Sequence, residues 1–210
     1  MPKETYTFTD LHQNERRITA EEPLNEGGRF GSIIRASMEG DSRSYVYKEY
    51  NKAFAEAADP NKIASIYEAL HRAGIPTFEY FRVGSLREQN GDHHSLVTIS
   101  EDLTPRGVVI SSNTSRHRDS LSTLEDSALR NMDFDQIKAD LYDLCADLAG
   151  AGLLVTNDAF FLIYDQKSTS CMVGDFDTIE FDDGDARYIE QHNKSQVREL
   201  VSTLQSTIRK

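Results

Sequence analysis

A glycine-rich segment followed by a lysine is the first place where this sequence could do chemistry. Gly28 and Gly31 flank Phe30, and Lys48 follows 17 residues after Gly31. A glycine-rich turn lets backbone N–H groups approach a phosphate because no Cβ is in the way. A lysine on a neighbouring strand would place a fixed positive charge beside the same phosphate. The order and spacing of these residues indicate binding of a nucleoside triphosphate.

Two aspartates in the second half of the sequence stand next to short apolar runs. Asp158 precedes the run Phe160-Phe161-Leu162-Ile163-Tyr164, and Asp175 follows the run Cys171-Met172-Val173 after one glycine. The polar residues 166–170 between the runs predict a hairpin whose two ends carry the two aspartates. Two carboxylates held at one place suit Mg²⁺, which binds proteins through one or two carboxylates and takes phosphate oxygens as further ligands.

The elements that must position these residues begin with strands in the first half of the chain. Apolar and β-branched residues recur over four segments, and Gly40-Asp41 is a turn signal between the first two. The predicted strands span residues 24–34, 43–50, 78–83 and 95–99. The polar residues 85–94, with His93 and His94 among them, are predicted to form a surface loop between the last two strands.

Apolar residues at helical spacing predict the helices. The predicted helices span residues 52–73, with a break at Asp59-Pro60-Asn61, residues 133–150 and residues 191–208. Gly74 and Pro76 end the first of them, because glycine closes a helix and proline cannot resume it. Residues 105–122 and 180–187 show no regular period and are predicted to be loops and turns. Strands and helices together predict an α+β protein.

Composition limits the classes of function. The chain has 210 residues, 38% of them hydrophobic, which is enough for one compact domain or two small lobes. Its net charge of -12 argues against a nucleic-acid partner, which needs a basic face. No apolar run suggests a membrane span or a Sec-type signal peptide. Cys145 and Cys171 lie in apolar segments and are predicted to be buried thiols, as in a reducing compartment.

The N-terminal residues 1–22 are polar and of mixed charge. They show little periodicity, so they are predicted to form a flexible, poorly ordered lead-in. A secretion or targeting tail is the alternative interpretation, because such a tail needs no fold of its own.

Taken together, these segments resemble those of protein kinases. Gly28-Arg29-Phe30-Gly31 resembles the kinase glycine-rich loop, with Glu26 where the first glycine is expected. Val46-Tyr47-Lys48 resembles the strand that carries the phosphate-binding lysine, and Asp175-Phe176-Asp177 resembles the metal-binding D-F-G segment. The resemblance implies a two-lobed α+β kinase-like fold that binds ATP and Mg²⁺.

The resemblance also implies domain bounds and binding residues. It divides the chain into a flexible N-terminus (1–22), a β-rich N-lobe (23–103) and a reduced, mainly helical C-lobe (104–210). Glu68 resembles the helix glutamate that pairs with Lys48, with Glu56 as the fallback partner. The implied ATP-binding residues are Gly28, Phe30, Gly31, Lys48, Glu68, Glu101 and Leu103, the last two through the backbone of the hinge that holds adenine.

The segment that resembles the catalytic loop departs from the family pattern. It is shortened to residues 155–161, and no histidine or arginine precedes Asp158. By spacing to Asp175, either Asn157 or Asp158 could take the place of the catalytic aspartate. Only Asp158 can accept a proton, so we interpret Asp158 and Lys48 as catalytic, with Asn157 as a second metal ligand beside Asp175.

These features predict a minimal Ser/Thr protein kinase, similar to the very small kinases among bacterial secreted effectors. It would use ATP and Mg²⁺ on a protein substrate, with a host protein as one candidate, and no nucleic-acid or membrane partner. It would act in the cytoplasm, or in a host cell after secretion without a Sec-type signal. The alternatives are a nucleotide-binding pseudokinase, a small-molecule kinase, or a plain α+β domain in which Asp175 only caps a strand end.

Overall fold

The structure, a computed structural model, describes residues 5–11, 13–25, 31–51, 53, 59–88, 91–116 and 121–208. The chain divides into two compact units. The first unit contains Met1–Ser65 and Phe78–Pro105, and the second contains Ile66–Thr77 and Arg106–Lys210. Strands dominate the first unit, and the second combines helices with short strands. The predicted α+β class is confirmed.

An antiparallel sheet of six strands forms the first unit, in the order β1-β2-β3-β4-β6-β5. Its strands are β1 (Thr5–Thr9), β2 (Glu15–Asn25), β3 (Gly31–Met38), β4 (Ser44–Tyr50), β5 (Tyr80–Glu88) and β6 (Gly91–Glu101). The predicted turn between β3 and β4 is confirmed, since Gly40 has a φ of 79° and the Asp41 N–H donates to the Met38 carbonyl. The loop predicted over residues 85–94 is wrong for residues 85–88 and 91–94, which belong to strands. The β5–β6 ladder continues through Ser85 and Leu86, because backbone hydrogen bonds extend a hairpin whatever the polarity of its side chains.

The sheet curls so that its two edge strands approach each other. The Leu11 N–H, just after β1, donates to the Phe81 carbonyl of β5 at 2.9 Å. The Arg82 guanidinium donates to the Thr9 carbonyl at 3.1 Å. The curl encloses a hydrophobic core made of Phe8, Ile18, Ala36, Met38, Tyr45, Tyr47, Phe81, Val97 and Ile99. The edge strands therefore contribute to one closed core.

The predicted flexible N-terminus is wrong for the described residues between 5 and 22, which contain β1 and most of β2. Phe8 and Ile18 are buried in the core, and the Tyr6 ring stacks on Tyr47 with centroids 5.7 Å apart. The large side chains of β1 alternate with threonines, because only one face of the strand is buried. Threonine favours strands but carries a polar hydroxyl, so the segment looks like a polar tail.

The first helix, α1 (Pro60–Arg72), begins at the predicted break and ends where predicted. Ile63, Ile66 and Leu70 are buried, which confirms the predicted apolar stripe. Gly74 follows with a φ of 70°, a left-handed conformation that glycine adopts without strain. The earlier part of the predicted helix, residues 54–58, lies outside the described residues. The helix begins in the first unit and continues into the second.

Besides the end of α1, the described residues of the second unit form two small sheets and four further helices. One sheet contains β7 (Val108–Ile110), β9 (Phe160–Tyr164) and β10 (Thr169–Val173), in the order β10-β9-β7. The other pairs β8 (Leu153–Val155) with β11 (Ile179–Phe181). The helices are α2 (Ser112–Arg116), α3 (Thr123–Asn131), α4 (Phe134–Gly150) and α5 (Ala186–Ile208). The predicted start of α4 is confirmed, since Asp133 caps the backbone N–H groups of Asp135 and Gln136.

Two predicted loops are wrong in part. Residues 105–122 contain β7 and α2, whose residues are too few to show a period. Residues 180–187 contain part of β11 and the first two residues of α5, which begins five residues before its predicted start at Gln191. Among the described residues, no helix has both the length and the apolar character needed to cross a membrane.

Both cysteines are free thiols, as predicted. Cys145 is buried in α4 and Cys171 is half-buried in β10. Burial raises the pKa of each thiol to about 12, because the apolar surroundings disfavour the thiolate. Neither is a reactive nucleophile at neutral pH.

Candidate active site

The hairpin of β9 and β10 brings the ends that carry Asp158 and Asp175 together. Phe160 pairs with Val173 at the open end of the hairpin. Asp158 lies two residues before Phe160, and Asp175 lies two residues after Val173. The pairing continues past the strands, since the Gly174 N–H donates to the Ala159 carbonyl at 2.8 Å. The predicted hairpin and the proximity of its two polar ends are confirmed.

Asp175 has a backbone conformation that is unusual for a residue with a side chain. Its φ of 54° and ψ of 57° lie in the left-handed region, which aspartate tolerates better than most residues but at some cost. Its carbonyl accepts from both the N–H and the hydroxyl of Thr178, at 2.9 and 2.8 Å. Its carboxylate makes no capping bond to the turn Phe176–Thr178, so Asp175 does not act as a helix cap. Such strain is concentrated at functional sites.

Contacts on both sides of Asp175 hold it in place. Before it, the Val173 N–H donates to the Pro76 carbonyl, and the Thr77 hydroxyl donates to the Val173 carbonyl at 2.6 Å. After it, the buried Phe176 ring stacks on Tyr67 of α1, with centroids 5.8 Å apart. The position of Asp175 is therefore set by packed neighbours on both sides.

Asn157 and Asp158 are neighbours on the short 3-10 turn Asn157–Ala159, but they contact different elements. The Asn157 side-chain amide donates to the Glu199 carboxylate of α5 at 3.1 Å, and its backbone N–H donates to the Gln196 side chain at 3.1 Å. Asp158 instead accepts a hydrogen bond from the Ser112 hydroxyl at the start of α2. These contacts favour Asn157 as a residue that holds the turn, and its role as a metal ligand stays a prediction.

A buried asparagine of α5 supports the strand that leads into this turn. Asn193 accepts from the Val155 N–H at 3.0 Å and donates to the Leu153 carbonyl at 2.9 Å. The side-chain amide thus pairs with β8 as a neighbouring strand would, on the side away from β11. The C-terminal helix therefore fixes the backbone from Leu153 to Asn157. Sequence reasoning missed this role because an asparagine on a helix gives no signal of its partner.

Ser112 is the other functional candidate that sequence reasoning missed. β7 runs antiparallel to β9, with Ile110 opposite Leu162, so β7 ends on the side where β9 begins. Ser112 follows Ile110 by two residues and is 5% exposed. It lies in the serine-rich stretch that predicts only a loop, and no spacing rule connects it to a residue 46 positions away.

Lys48 lies on a central strand of the first unit. It pairs with Ile33 of β3 on one side and with Thr98 of β6 on the other. The side chain is half-buried, and its ammonium lies 4.8 Å from the centroid of the Tyr50 ring. Strand pairing on both sides fixes the backbone of Lys48, as a phosphate-binding lysine would require. Its catalytic and ATP-binding roles stay predictions.

Gly31 is the one predicted glycine-loop residue that the structure describes, since Gly28 and Phe30 lie outside the described residues. A Cβ at Gly31 would overlap the carbonyl oxygen of Glu49 and lie 2.8 Å from the Tyr50 Cα. The close approach of β3 to β4 is therefore sufficient to require glycine here. A contact of Gly31 with phosphate stays a prediction.

Glu68 is exposed on α1 and belongs to the second unit, whereas Lys48 belongs to the first. The predicted ion pair between them therefore stays a prediction. The fallback partner, Glu56, lies outside the described residues.

The segment predicted to hold adenine is fixed by hydrogen bonds. The Glu101 N–H donates to the Glu79 carbonyl at 2.9 Å, and the Glu101 carboxylate accepts from the Glu79 N–H at 3.0 Å. Leu103 is buried. Between them, Asp102 accepts from Ser44, from Arg35 and from Thr104. The adenine contacts of Glu101 and Leu103 stay predictions.

Asp102 is the most extensively paired buried carboxylate near the predicted hinge. Burial acts to raise its pKa, but the hydrogen bonds from Thr104 and Ser44, together with the charge of Arg35, outweigh it and lower the pKa. Asp102 is thus ionised at neutral pH and holds the end of β6.

Two aspartates lie at the open end of the β9–β10 hairpin, and their binding of Mg²⁺ stays a prediction. They are Asp158 and Asp175, and Mg²⁺ in nucleotide sites uses one or two carboxylates plus phosphate oxygens and water. Within the described residues, no group of three or more His, Cys, Asp or Glu side chains could hold a metal by itself. Phosphate oxygens would therefore have to complete the coordination.

Solved structures resemble most of the chain. The kinase domain of PknI from Mycobacterium tuberculosis is 13% identical in sequence, with 89% of this chain and 74% of that chain covered and a TM-score of 0.54. A double mutant of that domain covers 93% of this chain and 77% of its own, with a TM-score of 0.55. WaaP in complex with acyl carrier protein is 14% identical, with 83% and 68% covered and a TM-score of 0.50.

This chain has a protein kinase-like fold. The resemblance to protein kinases that the sequence predicts is thus confirmed at the level of the fold. Sequence comparison alone does not reach this result, because no family model and no curated protein matches the chain. In the kinase-like fold, both Asp158 and Asp175 belong to the second unit, at one end of the same hairpin.

Proposed function

We propose that this chain is a minimal protein kinase that transfers phosphate from ATP to a serine or threonine of a protein, using Mg²⁺. The observation that carries the proposal is the convergence of Asp158 and Asp175 at the open end of the β9–β10 hairpin, in a chain with a kinase-like fold. We propose a protein acceptor because the sequence resembles the small effector kinases, and a host protein is one candidate.

The second unit would supply the groups closest to the transferred phosphate. Asp175, held in its left-handed conformation by neighbours on both sides, would ligate Mg²⁺. Bound Mg²⁺ would supply neutralisation of charge on the phosphate oxygens. Asp158 would accept a hydrogen bond from the acceptor hydroxyl and orient it for attack. Phosphoryl transfer depends mainly on such positioning and charge neutralisation, so a small protein can suffice.

The first unit would supply groups that bind ATP. Lys48 would contact the α- and β-phosphates as a fixed positive charge. The backbone around Gly28, Phe30 and Gly31 would cover the phosphates. The backbone of Glu101 and Leu103, in the segment that Asp102 fixes, would bind adenine.

A nucleotide-binding pseudokinase is the second candidate. The specific observation in its favour is the contact of the Asn157 amide with Glu199 of α5. This contact directs a residue that was predicted to bind metal toward α5. With Asn157 engaged in this way, Asp175 would be the principal metal ligand. Nucleotide binding would then persist with little or no phosphate transfer.

Transfer of labelled γ-phosphate from ATP tests the proposal. Wild type should label itself or a generic protein substrate in the presence of Mg²⁺. Lys48→Ala and Asp158→Asn should each lower the rate by about a hundredfold or more, since each removes a group that acts on the reacting atoms. The exposed Asp183→Asn is the matched control and should retain the wild-type rate.

Two results would separate the candidates. Equal and negligible transfer by wild type and Lys48→Ala would overturn the kinase proposal. If ATP with Mg²⁺ still raised the melting temperature of wild type in that case, the pseudokinase would be supported instead.

A further inference from the structure

Three strands of the second unit each have one terminus at the same side of one small sheet. β9 begins there after Asp158, β10 ends there before Asp175, and β7 ends there before Ser112. Two of these three polar residues are already part of the proposed site. The third, Ser112, touches one of them, because its hydroxyl donates a hydrogen bond to the Asp158 carboxylate.

Ser112 is held rigidly on its own side of this contact. Ile110, two residues earlier, is fully buried and pairs with β9. Ser111 and Thr114 exchange hydrogen bonds, with the Ser111 N–H donating to the Thr114 hydroxyl and the Thr114 N–H donating to the Ser111 carbonyl, each at 3.1 Å. Ser112 lies inside this closed turn and is itself 5% exposed. Its hydroxyl is therefore a donor of fixed position.

Asp158 is held at its backbone by contacts of neighbouring residues. It lies on a three-residue 3-10 turn, and Thr156 at the start of that turn makes no side-chain cap. The turn is fixed from the other side through Asn157, by Gln196 and Glu199 of α5. These contacts hold the backbone, whereas the hydrogen bond from Ser112 is made to the Asp158 carboxylate itself.

We propose that Ser112 is a positioning residue that orients the Asp158 carboxylate toward the acceptor hydroxyl; this role rests on the proposed kinase function. With one carboxylate oxygen accepting from Ser112, the carboxylate would be oriented to accept from the acceptor hydroxyl. A carboxylate in one fixed orientation presents its oxygen where the hydroxyl must lie, and small misplacements of such a group are costly for the rate. Ser112 touches neither ATP nor the acceptor.

The test compares Ser112→Ala with Ser111→Ala, which removes the neighbouring hydroxyl and leaves the Asp158 contact intact. Ser112→Ala should lower kcat for phosphate transfer by roughly ten- to a hundredfold, with the KM for ATP changed less than about twofold. Ser111→Ala should match wild type in both. Ser112→Cys keeps nearly the same side-chain volume but replaces the hydroxyl with a weak hydrogen-bond donor. It should show a similar loss of kcat, which would show that the loss in Ser112→Ala does not come from a packing defect.

A double-mutant cycle decides whether Ser112 acts through Asp158. In the Asp158→Asn background, Ser112→Ala should cause no further loss of transfer, because the group it positions is already gone. Full additivity of the two losses, or an unchanged kcat in both Ser112 variants, would overturn the positioning role while leaving the kinase proposal intact. A wild-type chain without transfer would overturn the kinase proposal and this role together.

Discussion

Asp102 in the first unit and Asp158 in the second both accept a hydrogen bond from a serine, yet their surroundings differ. Asp102 is 6% exposed and is paired with Ser44, Thr104 and the Arg35 guanidinium. Asp158 is half-buried on a short turn, beside the strained backbone of Asp175. The comparison contrasts a carboxylate that holds the fold with one for which we propose a role in phosphate transfer. Asp102 pairs with three other side chains, whereas Asp158 lies next to a strand end and accepts a hydrogen bond from Ser112.

Breaking the core of the first unit should have the largest effect on stability. Phe8→Ala removes a buried ring from β1 and should lower the free energy of unfolding by about 3–5 kcal/mol. Urea unfolding at neutral pH measures this change. Thr9→Ala, at an exposed position of the same strand, should change it by less than about 0.5 kcal/mol. Equal stability of wild type and Phe8→Ala would mean that residues 5–9 are a tail after all.

Removal of the Asp102 carboxylate should have the next largest effect. Asp102→Ala leaves Arg35, Ser44 and Thr104 without a shared partner and should cost about 3 kcal/mol in urea unfolding. The exposed Asp183→Asn is the control and should unfold like wild type. A negligible loss in Asp102→Ala would remove the distinction between Asp102 and Asp158 on which the comparison depends.

The same carboxylate predicts a pH dependence. Because its pKa is lower in the folded state than the ordinary value of 3.8, Asp102 contributes stability that is present above about pH 4 and is lost as the pH falls through the folded pKa. Unfolding free energies measured from pH 7 down to pH 3 should therefore fall less steeply for Asp102→Asn than for wild type. Parallel curves would contradict this assignment.

Asn157 should give the smallest effect. Asn157→Ala removes one hydrogen bond to Glu199 and should cost about 1 kcal/mol of stability. If Asn157 only holds the turn, the Mg²⁺ concentration for half-maximal transfer should change less than about twofold. An increase of tenfold or more would instead show that its side chain ligates the metal, as the sequence pattern predicts.

Much of the fold could be predicted because its signals are local. The apolar stripe of α1, the Asp133 cap of α4 and the Gly40 turn each follow from neighbouring residues. The N-terminal strands were missed because β1 buries one face only, and the threonines on its other positions make the segment look polar. β7 was missed because three residues have no period, although Val108–Ile110 completes the sheet beside β9.

The candidate site was predictable only in part, for a related reason. Asp158 and Asp175 flank one hairpin, so a local pattern places them together. Ser112 reaches Asp158 through the pairing of β7 with β9, and Asn193 reaches β8 from the last helix. Such contacts depend on tertiary topology, which a single sequence does not reveal.

The most direct test of the central claim separates binding of Mg²⁺-ATP from transfer in two variants, Asp175→Asn and Asp158→Asn. Asparagine tolerates the left-handed conformation of Asp175, so the backbone should be preserved. By calorimetric titration, Asp175→Asn should bind Mg²⁺-ATP at least tenfold more weakly than wild type. Asp158→Asn should bind within about threefold of wild type and yet transfer phosphate at least a hundredfold more slowly. Wild-type binding and wild-type transfer in both variants would contradict the assignment of these two carboxylates.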